Sequence, residues 1–220
     1  MKYERMAKCK CGKTKDVNGN CDGSHANPSK LIKKLTLSLA VVLMGLSLQS
    51  FTPTKKETIN VTSSSIQWVG EKVVGSHQGM ISLQSGELIY DGNQLVAGSF
   101  VIDMTSLTCT DLTGEYKSKL EGHLKSDDFF GVNKFETASL SITKVNKIKS
   151  KSHSVTGELT IKGITKTINF EAQIDKNNLN ANIKIDRTKF DVKYGSGNFF
   201  DGLGDNMIYD EFELIVNLEI

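Results

Sequence analysis

Residues 168–186 read Ile168-Asn-Phe-Glu-Ala-Gln-Ile-Asp175-Lys-Asn-Asn-Leu179-Asn-Ala-Asn-Ile-Lys-Ile-Asp186. Ile168, Phe170, Ala172 and Ile174 alternate with Asn169, Glu171, Gln173 and Asp175. Leu179, Ala181, Ile183 and Ile185 alternate with Asn180, Asn182, Lys184 and Asp186. Successive side chains of a strand point to opposite faces, so each run is a strand with one apolar and one wet face. The residues from Asp175 to Asn178 are turn formers, and they separate the two strands.

The same period of two recurs on both sides of this stretch. Upstream it appears in Val96-(Gly98)-Phe100-Ile102-Met104 and in Leu140-Ile142, and downstream in Phe212-Leu214-Val216-Leu218-Ile220. Turn residues divide the runs at Asp91-Gly92-Asn93, at Lys162-Gly163 and among the glycines of 195–204. From Asn60 onward this makes about eight short antiparallel strands. One segment breaks the pattern. Tyr116, Leu120 and Leu124 recur every four residues, a helical stripe, with Thr113 or Asp111 as its N-cap. The expected body is all-β with one inserted helix. It is either a closed or nearly closed barrel or a two-sheet sandwich.

Composition narrows the function. The chain has 220 residues, 38% hydrophobic and 24% charged, an ordinary globular balance. No proline follows Pro53, so no strand is marked as an edge by one. Residues 1–53 carry nine Lys/Arg against three Asp/Glu, and the remainder carries 18 against 22. A net-acidic body lacks the positive field that nucleic acid demands, so no nucleic-acid partner is expected. Three of the four cysteines lie in the first 21 residues, and the body, with Cys109 alone, has no internal disulfide to form.

Three segments follow from this: a Cys/His-rich leader at 1–30, an apolar stretch at 31–54, and the barrel at 58–220. In the second, Lys30, Lys33 and Lys34 precede an apolar run from Leu35 to Leu48, and no charge returns until Lys55. A basic flank before such a run is the pattern of a secretory signal. The stretch 35–54 is also long enough to span a bilayer as a retained anchor. A buried core helix is the structural alternative. The basic flank keeps the leader cytoplasmic and sends the body outward, to the periplasm or to the outer face of a membrane.

The body resembles the YceI-like family of lipid-binding proteins. The resemblance covers about residues 58–220. It is carried by Ile66-Gln-Trp-Val-Gly-Glu-Lys-Val-Val-Gly-Ser-His-Gln-Gly79 and Gly98-Ser-Phe-Val-Ile-Asp-Met-Thr-Ser-Leu107. Leu120-Glu-Gly-His-Leu-Lys-Ser-Asp-Asp-Phe-Phe-Gly-Val132, Gly157-Glu-Leu-Thr-Ile-Lys-Gly-Ile-Thr-Lys166 and Phe190-Asp-Val-Lys-Tyr-Gly-Ser-Gly197 continue it. Lys134 stands where the family usually has proline. The resemblance implies an eight-stranded antiparallel barrel of lipocalin-like build, holding a long amphiphile such as a polyisoprenoid or a fatty-acid derivative in an internal tunnel. It implies a binding protein rather than an enzyme, and a homodimer is compatible with it. Alternation then nominates the lining: Trp68, Phe100, Ile102, Phe170, Ile183, Phe190, Phe212 and Leu214, with Leu120 and Leu124 from the helix. Gly98, Ala172 and Ala181 are small inward residues that leave room. The competing reading is a barrel whose inward side chains simply pack against one another.

His123 has two readings. Near Asp127 and Asp128 it could serve as a base with its orienter, making the protein a hydrolase or isomerase of an isoprenoid lipid. Alternatively it caps the head group of a bound lipid. No Gly-x-Ser-x-Gly elbow and no Cys-x-x-Cys pair accompanies it in the body. In the leader, Cys9-Lys-Cys11 and Cys21-Asp-Gly-Ser-His25 resemble the CDGSH iron–sulfur motif. That resemblance implies a [2Fe–2S] cluster on Cys9, Cys11, Cys21 and His25. The gap between the Cys pair and Cys21 is one residue longer than usual, and the proline before the last Cys is missing. The same four groups also suit zinc, and a leader without metal is the third alternative.

Overall fold

The alternating runs become strands β1 (Lys56–Asn60), β2 (Ser63–Lys72), β3 (Ser76–Asp91), β4 (Gln94–Cys109), β5 (Thr137–Lys147), β6 (Ser152–Ile161), β7 (Ile164–Ile174), β8 (Asn178–Asp186) and β9 (Ile208–Glu219). Among the described residues a single α-helix, α1 (Gly114–Lys125), is present, and it joins β4 to β5. A short 3-10 turn, Arg187–Phe190, follows β8. The computed structural model describes residues 55–175 and 177–220, together with residues 8, 10, 17 and 18. The chain divides into units Met1–Pro53 and Thr54–Ile220, and the second carries this fold. Cys9, Cys11, Cys21, His25 and the stretch 31–54 lie outside the described residues. Among the described residues no helix is long and apolar enough to cross a membrane.

The sheet runs in the order β1-β3-β2-β9-β8-β7-β6-β5-β4, and β3 also pairs with β4. Strands β2 to β9 therefore form a closed antiparallel barrel of eight, and the sandwich alternative falls. β1 adds no wall of its own. It pairs with Glu87–Asp91 of β3, while β2 pairs with Ser76–Ile81 of the same strand, so the two short strands share one side of β3.

Two irregularities shape the tube. In β4 the Asp103 carboxylate accepts from the amide and hydroxyl of Thr105. Its register against β3 jumps there, from Met80↔Thr108 to Ser82↔Asp103. The resulting bulge reverses the alternation, so Leu107 and Cys109 point inward after Phe100, Ile102 and Met104. The second irregularity lies between β7 and β8, which pair only at Ala172↔Ala181, Gln173↔Asn180 and Ile174↔Leu179. Beyond these positions the two strands diverge, widening the barrel toward the end that carries α1.

The two ends differ. At the far end Leu88, Leu95, Val145, Val155 and Ala172 are almost fully buried and fill the tube. At the other end α1 and the segment after it lie across the opening. The helical stripe is only partly realised. Leu124 is buried and Leu120 half-buried, but Tyr116 is 75% exposed. The first turn carries no inward anchor, and Thr113, the N-cap residue, makes no side-chain cap bond. Polar ties hold the helix instead. Glu121 accepts from the Thr108 hydroxyl at 2.6 Å and the Cys109 amide at 2.7 Å, and Lys125 Nζ donates to the Thr105 carbonyl at 2.8 Å.

Gly79 marks the tightest approach in the wall. A Cβ there would stand 1.8 Å from the Thr108 carbonyl oxygen and 2.6 Å from the Trp68 ring. The missing side chain lets the indole lie over its neighbour while its Nε1–H donates to Thr108 O at 3.1 Å. Gly79→Ala is therefore expected to destabilise the barrel by about 3 kcal/mol, the upper range for overpacking. Urea titration followed by Trp68 fluorescence measures this. A loss below about 1 kcal/mol would mean the wall yields there.

Candidate functional site

The closed sheet leaves an apolar lumen between the packed end and the helix. The centre of a water-sized sphere can move through about 170 Å³ of it. One water needs roughly 10–15 Å³ on that measure. Trp68, Phe100, Ile102, Phe170, Ile183, Phe212 and Leu214, nominated by alternation, line it together with Leu124, nominated from the helix. Ile102, Phe170, Phe212 and Leu214 point inward yet stay only half-buried, as residues facing unfilled space do.

Three nominated residues do not line the lumen. Phe190 is 1% exposed and closes the 3-10 turn below it. Leu120 packs against the core from α1. His123 lies edge-on to Tyr194 at 4.4 Å and to Phe129 at 5.6 Å, and its Nε2 is buried without a hydrogen-bond partner. Of the small residues, only Ala181 borders the space. Ala172 belongs to the packed end, and Gly98 is a close approach: a Cβ there would stand 3.0 Å from the Glu87 carbonyl and from Leu88. Those two leave no room, because their neighbours have already moved in.

Sequence reasoning missed several lining residues. Ile66 and Met104 follow from the alternation that places Trp68 and Ile102. Phe129 and Phe130 were legible only as two adjacent aromatics after the helix. They stack edge-to-face at 5.0 Å and form the ceiling under α1. Leu107 needed the bulge.

Three polar residues border the lumen: Arg187, Tyr209 and Glu211. Arg187 is only 2% exposed. Its Nε, Nη1 and Nη2 donate to the carbonyls of Tyr209, Val192 and Ile208 at 3.1, 2.7 and 3.0 Å. Asp210 balances its charge at 3.6 Å, and the Phe129 ring lies 5.6 Å from the guanidinium carbon. Burial pushes its pKa down, and Asp210 and Asp186 act against that. With its donors turned to backbone, Arg187 clamps β9 to the turn after β8 and offers the lumen its carbon stem. The surface inside is that of a hydrocarbon solvent.

The acid–base pair of the hydrolase reading is not assembled. The Asp127 carboxylate takes Lys134 Nζ at 2.6 Å, while the His123 ring faces aromatics. His77 and Asp111 do pair, Nδ1 to Oδ2 at 2.8 Å, and the Cys109 thiol donates to the other Asp111 oxygen at 3.1 Å. This is not an activated nucleophile. Cys109 is fully buried, and burial together with its bond to Asp111 pushes the thiol pKa up. Among the described residues, no three His, Cys, Asp or Glu side chains come together to hold a metal ion.

Asp111 and Glu121 fasten the helix end electrostatically. Burial raises Asp111, but the Gln78 amide and the side chains of His77 and Cys109 outweigh it and bring the pKa to about 2. The Thr108 hydroxyl and the Cys109 amide hold Glu121 below the ordinary carboxylate value. Folded values below the unfolded 3.8 and 4.5 make these bonds fully stabilising above about pH 4.5. The contribution disappears as pH falls through the folded values, toward about 2 for Asp111. Thermal melts by circular dichroism should therefore show Tm falling across that window, and Asp111→Asn with Glu121→Gln should flatten the fall. An unchanged slope in the double variant would place the acid sensitivity elsewhere.

Comparison with known proteins agrees with this architecture. The family description "YceI-like domain" matches residues 58–220. A UPF0312 protein of Vibrio vulnificus is 32% identical over 98 residues, which are 44% of this chain and 49% of the relative. A UPF0312 protein of Vibrio campbellii is 30% identical over the same length. The match thus spans about half the length of these curated relatives. Burkholderia cenocepacia BcnA superposes with a TM-score of 0.57 at 20% identity, covering 71% of this chain and 96% of that one. A polyisoprenoid-binding domain from Saccharophagus degradans, implicated in plant cell wall breakdown, superposes with a TM-score of 0.51 at 12% identity, covering 75% and 99%. At these identities the two structures speak for the fold.

Proposed function

The chain belongs to the YceI-like family, and on that premise we propose that its barrel binds the hydrocarbon chain of one long-chain lipid, a polyisoprenoid or a fatty-acid derivative. The observation that carries this reading is the lumen itself, an unfilled apolar channel inside a closed wall. A barrel that merely packed would have filled it. Each methylene withdrawn from water contributes about 0.8 kcal/mol, so about fifteen contribute on the order of 12 kcal/mol. Lost translational and chain freedom offsets part of this and leaves roughly micromolar binding or tighter. The polyisoprenoid choice rests on the family and on the Saccharophagus domain's description. The lumen selects for an apolar chain of matching girth, and affinity follows tail length rather than salt. The protein acts as a carrier or store, not as a catalyst, and Asp127 is already committed to Lys134.

Solvent extraction and native mass spectrometry of the purified chain should find one long-chain lipid per barrel. Ala181→Phe, which inserts a ring into the lumen while keeping it apolar, should lower occupancy at least about tenfold with the strand circular dichroism retained. A protein that emerges empty and refuses added polyisoprenoids and fatty acids alike would overturn the reading.

The barrel is further proposed to work outside the cytoplasm, supported by the Lys30, Lys33 and Lys34 flank ahead of the apolar run. A reporter active only outside the cytoplasm, fused after Ile220, should be active. A silent exported reporter beside an active cytoplasmic one would refute export.

A further inference from the structure

The large apolar side chains that the barrel leaves in water gather at the helix-capped end. Val73, Val74, Tyr194, Phe199, Phe200 and Tyr209 are 42%, 59%, 48%, 49%, 51% and 45% exposed. They come from three separate segments that hydrogen bonds draw into one rim. The Val73 amide donates to Met207 O at 3.0 Å, and the Ile208 amide donates to Gly195 O at 2.8 Å. The amides of Phe199 and Phe200 both turn back onto Ser196 O, at 3.1 and 3.0 Å.

This rim is continuous with the lumen. Tyr209 borders both. Gly70 lines the lumen three residues before the rim begins, and a Cβ placed on it would meet nothing within 4 Å. The β2–β9 ladder breaks at the same place, between Gly70 and Lys72. The channel therefore reaches the surface under the exposed aromatics. At the opposite end the tube is packed, and Ile148 is its one large apolar side chain with comparable exposure among the described residues.

We infer that this rim is a membrane-docking surface, through which the lumen exchanges its lipid directly with a bilayer. The inference rests on the lipid-binding reading above. An apolar tail leaving the lumen through water would expose every methylene. A mouth sealed by aromatic side chains against the acyl region avoids that exposure. The charges beside the rim name the kind of surface. Lys72 and Lys193 are outnumbered by Glu71, Asp201, Asp205 and Glu211. The contact therefore does not depend on anionic lipid. It is hydrophobic insertion into a neutral or zwitterionic bilayer, with little response to salt.

The test uses the full chain and phosphatidylcholine vesicles with brominated acyl chains. A tryptophan placed at the rim, Phe200→Trp, should be quenched at least threefold more than one placed at the far end, Ile148→Trp. Phe199→Ser with Phe200→Ser should slow transfer of a fluorescent polyisoprenoid between vesicles at least tenfold. Lipid content of that variant, measured by extraction, should match the unaltered chain. Equal quenching at the two ends, or undiminished transfer by the serine variant, overturns the inference. So does a lipid-loaded protein whose rim mediates only self-association, seen as a dimer in sedimentation that the serine variant abolishes. A protein that carries no lipid at all fails at extraction, which marks the binding reading as the one lost.

Discussion

Everything in this molecule depends on β3 pairing with β4 after the sheet has gone round through β2, β9, β8, β7, β6 and β5. That closure gives each of the eight wall strands a neighbour on both sides and sets the width of what they enclose. Eight strands make a tube that side chains nearly fill. Whether a channel survives inside then depends on local widening and on how each end is stopped. Gly79 and Trp68 show how close the closure is, since the indole occupies the space that any side chain at residue 79 would claim. The divergence of β7 from β8 is the counterpart, a place where the wall relaxes and the lumen opens.

The two stops are chemically different, and that asymmetry gives the barrel a direction. Aliphatic side chains from neighbouring strands plug the far end, which is then part of the core. The near end is stopped by a separate element whose grip is largely polar. Glu121 and Lys125 bind α1 to the backbone and a hydroxyl of β4, and Phe129 and Phe130 supply the apolar ceiling beneath it. A cover held by a few charge-assisted bonds opens more readily than a plug of buried aliphatics. On the proposed lipid-binding reading, exchange of a guest belongs to the helix-capped end.

Three ionisable groups near that end are engaged in holding structure. Arg187 spends its donors on three carbonyls, Asp111 gathers an amide, an imidazole and a thiol, and Asp127 takes a lysine. None of these three faces the lumen as a free acid, base or nucleophile. Under the proposed function, the interior offers a guest contact and shape, and its selectivity is a matter of girth and length.

Much of this was legible in the sequence. Period-two alternation named the strands and their inward faces, the proline-free body allowed a closed sheet, and the helical stripe announced α1. Most of the nominated lining residues do border the lumen. The failures have physical causes that periodicity does not carry. Periodicity says which face a side chain occupies but not how far along the barrel axis it lies. Ala172 and Ala181 are direct cross-strand partners with the same inward alternation, yet only Ala181 borders open space. Leu107 reached the lumen only because Asp103 bulges β4, and Phe190 missed it because the chain turns beneath the barrel. The partners of Arg187 on β9, the packed end and the aromatic rim all join residues from separate elements of the chain. Local sequence determined strands, faces and helix through side-chain alternation. Only the closed tertiary structure, through sheet width and the depth at which each element enters, decided which inward residues pack and which leave a channel.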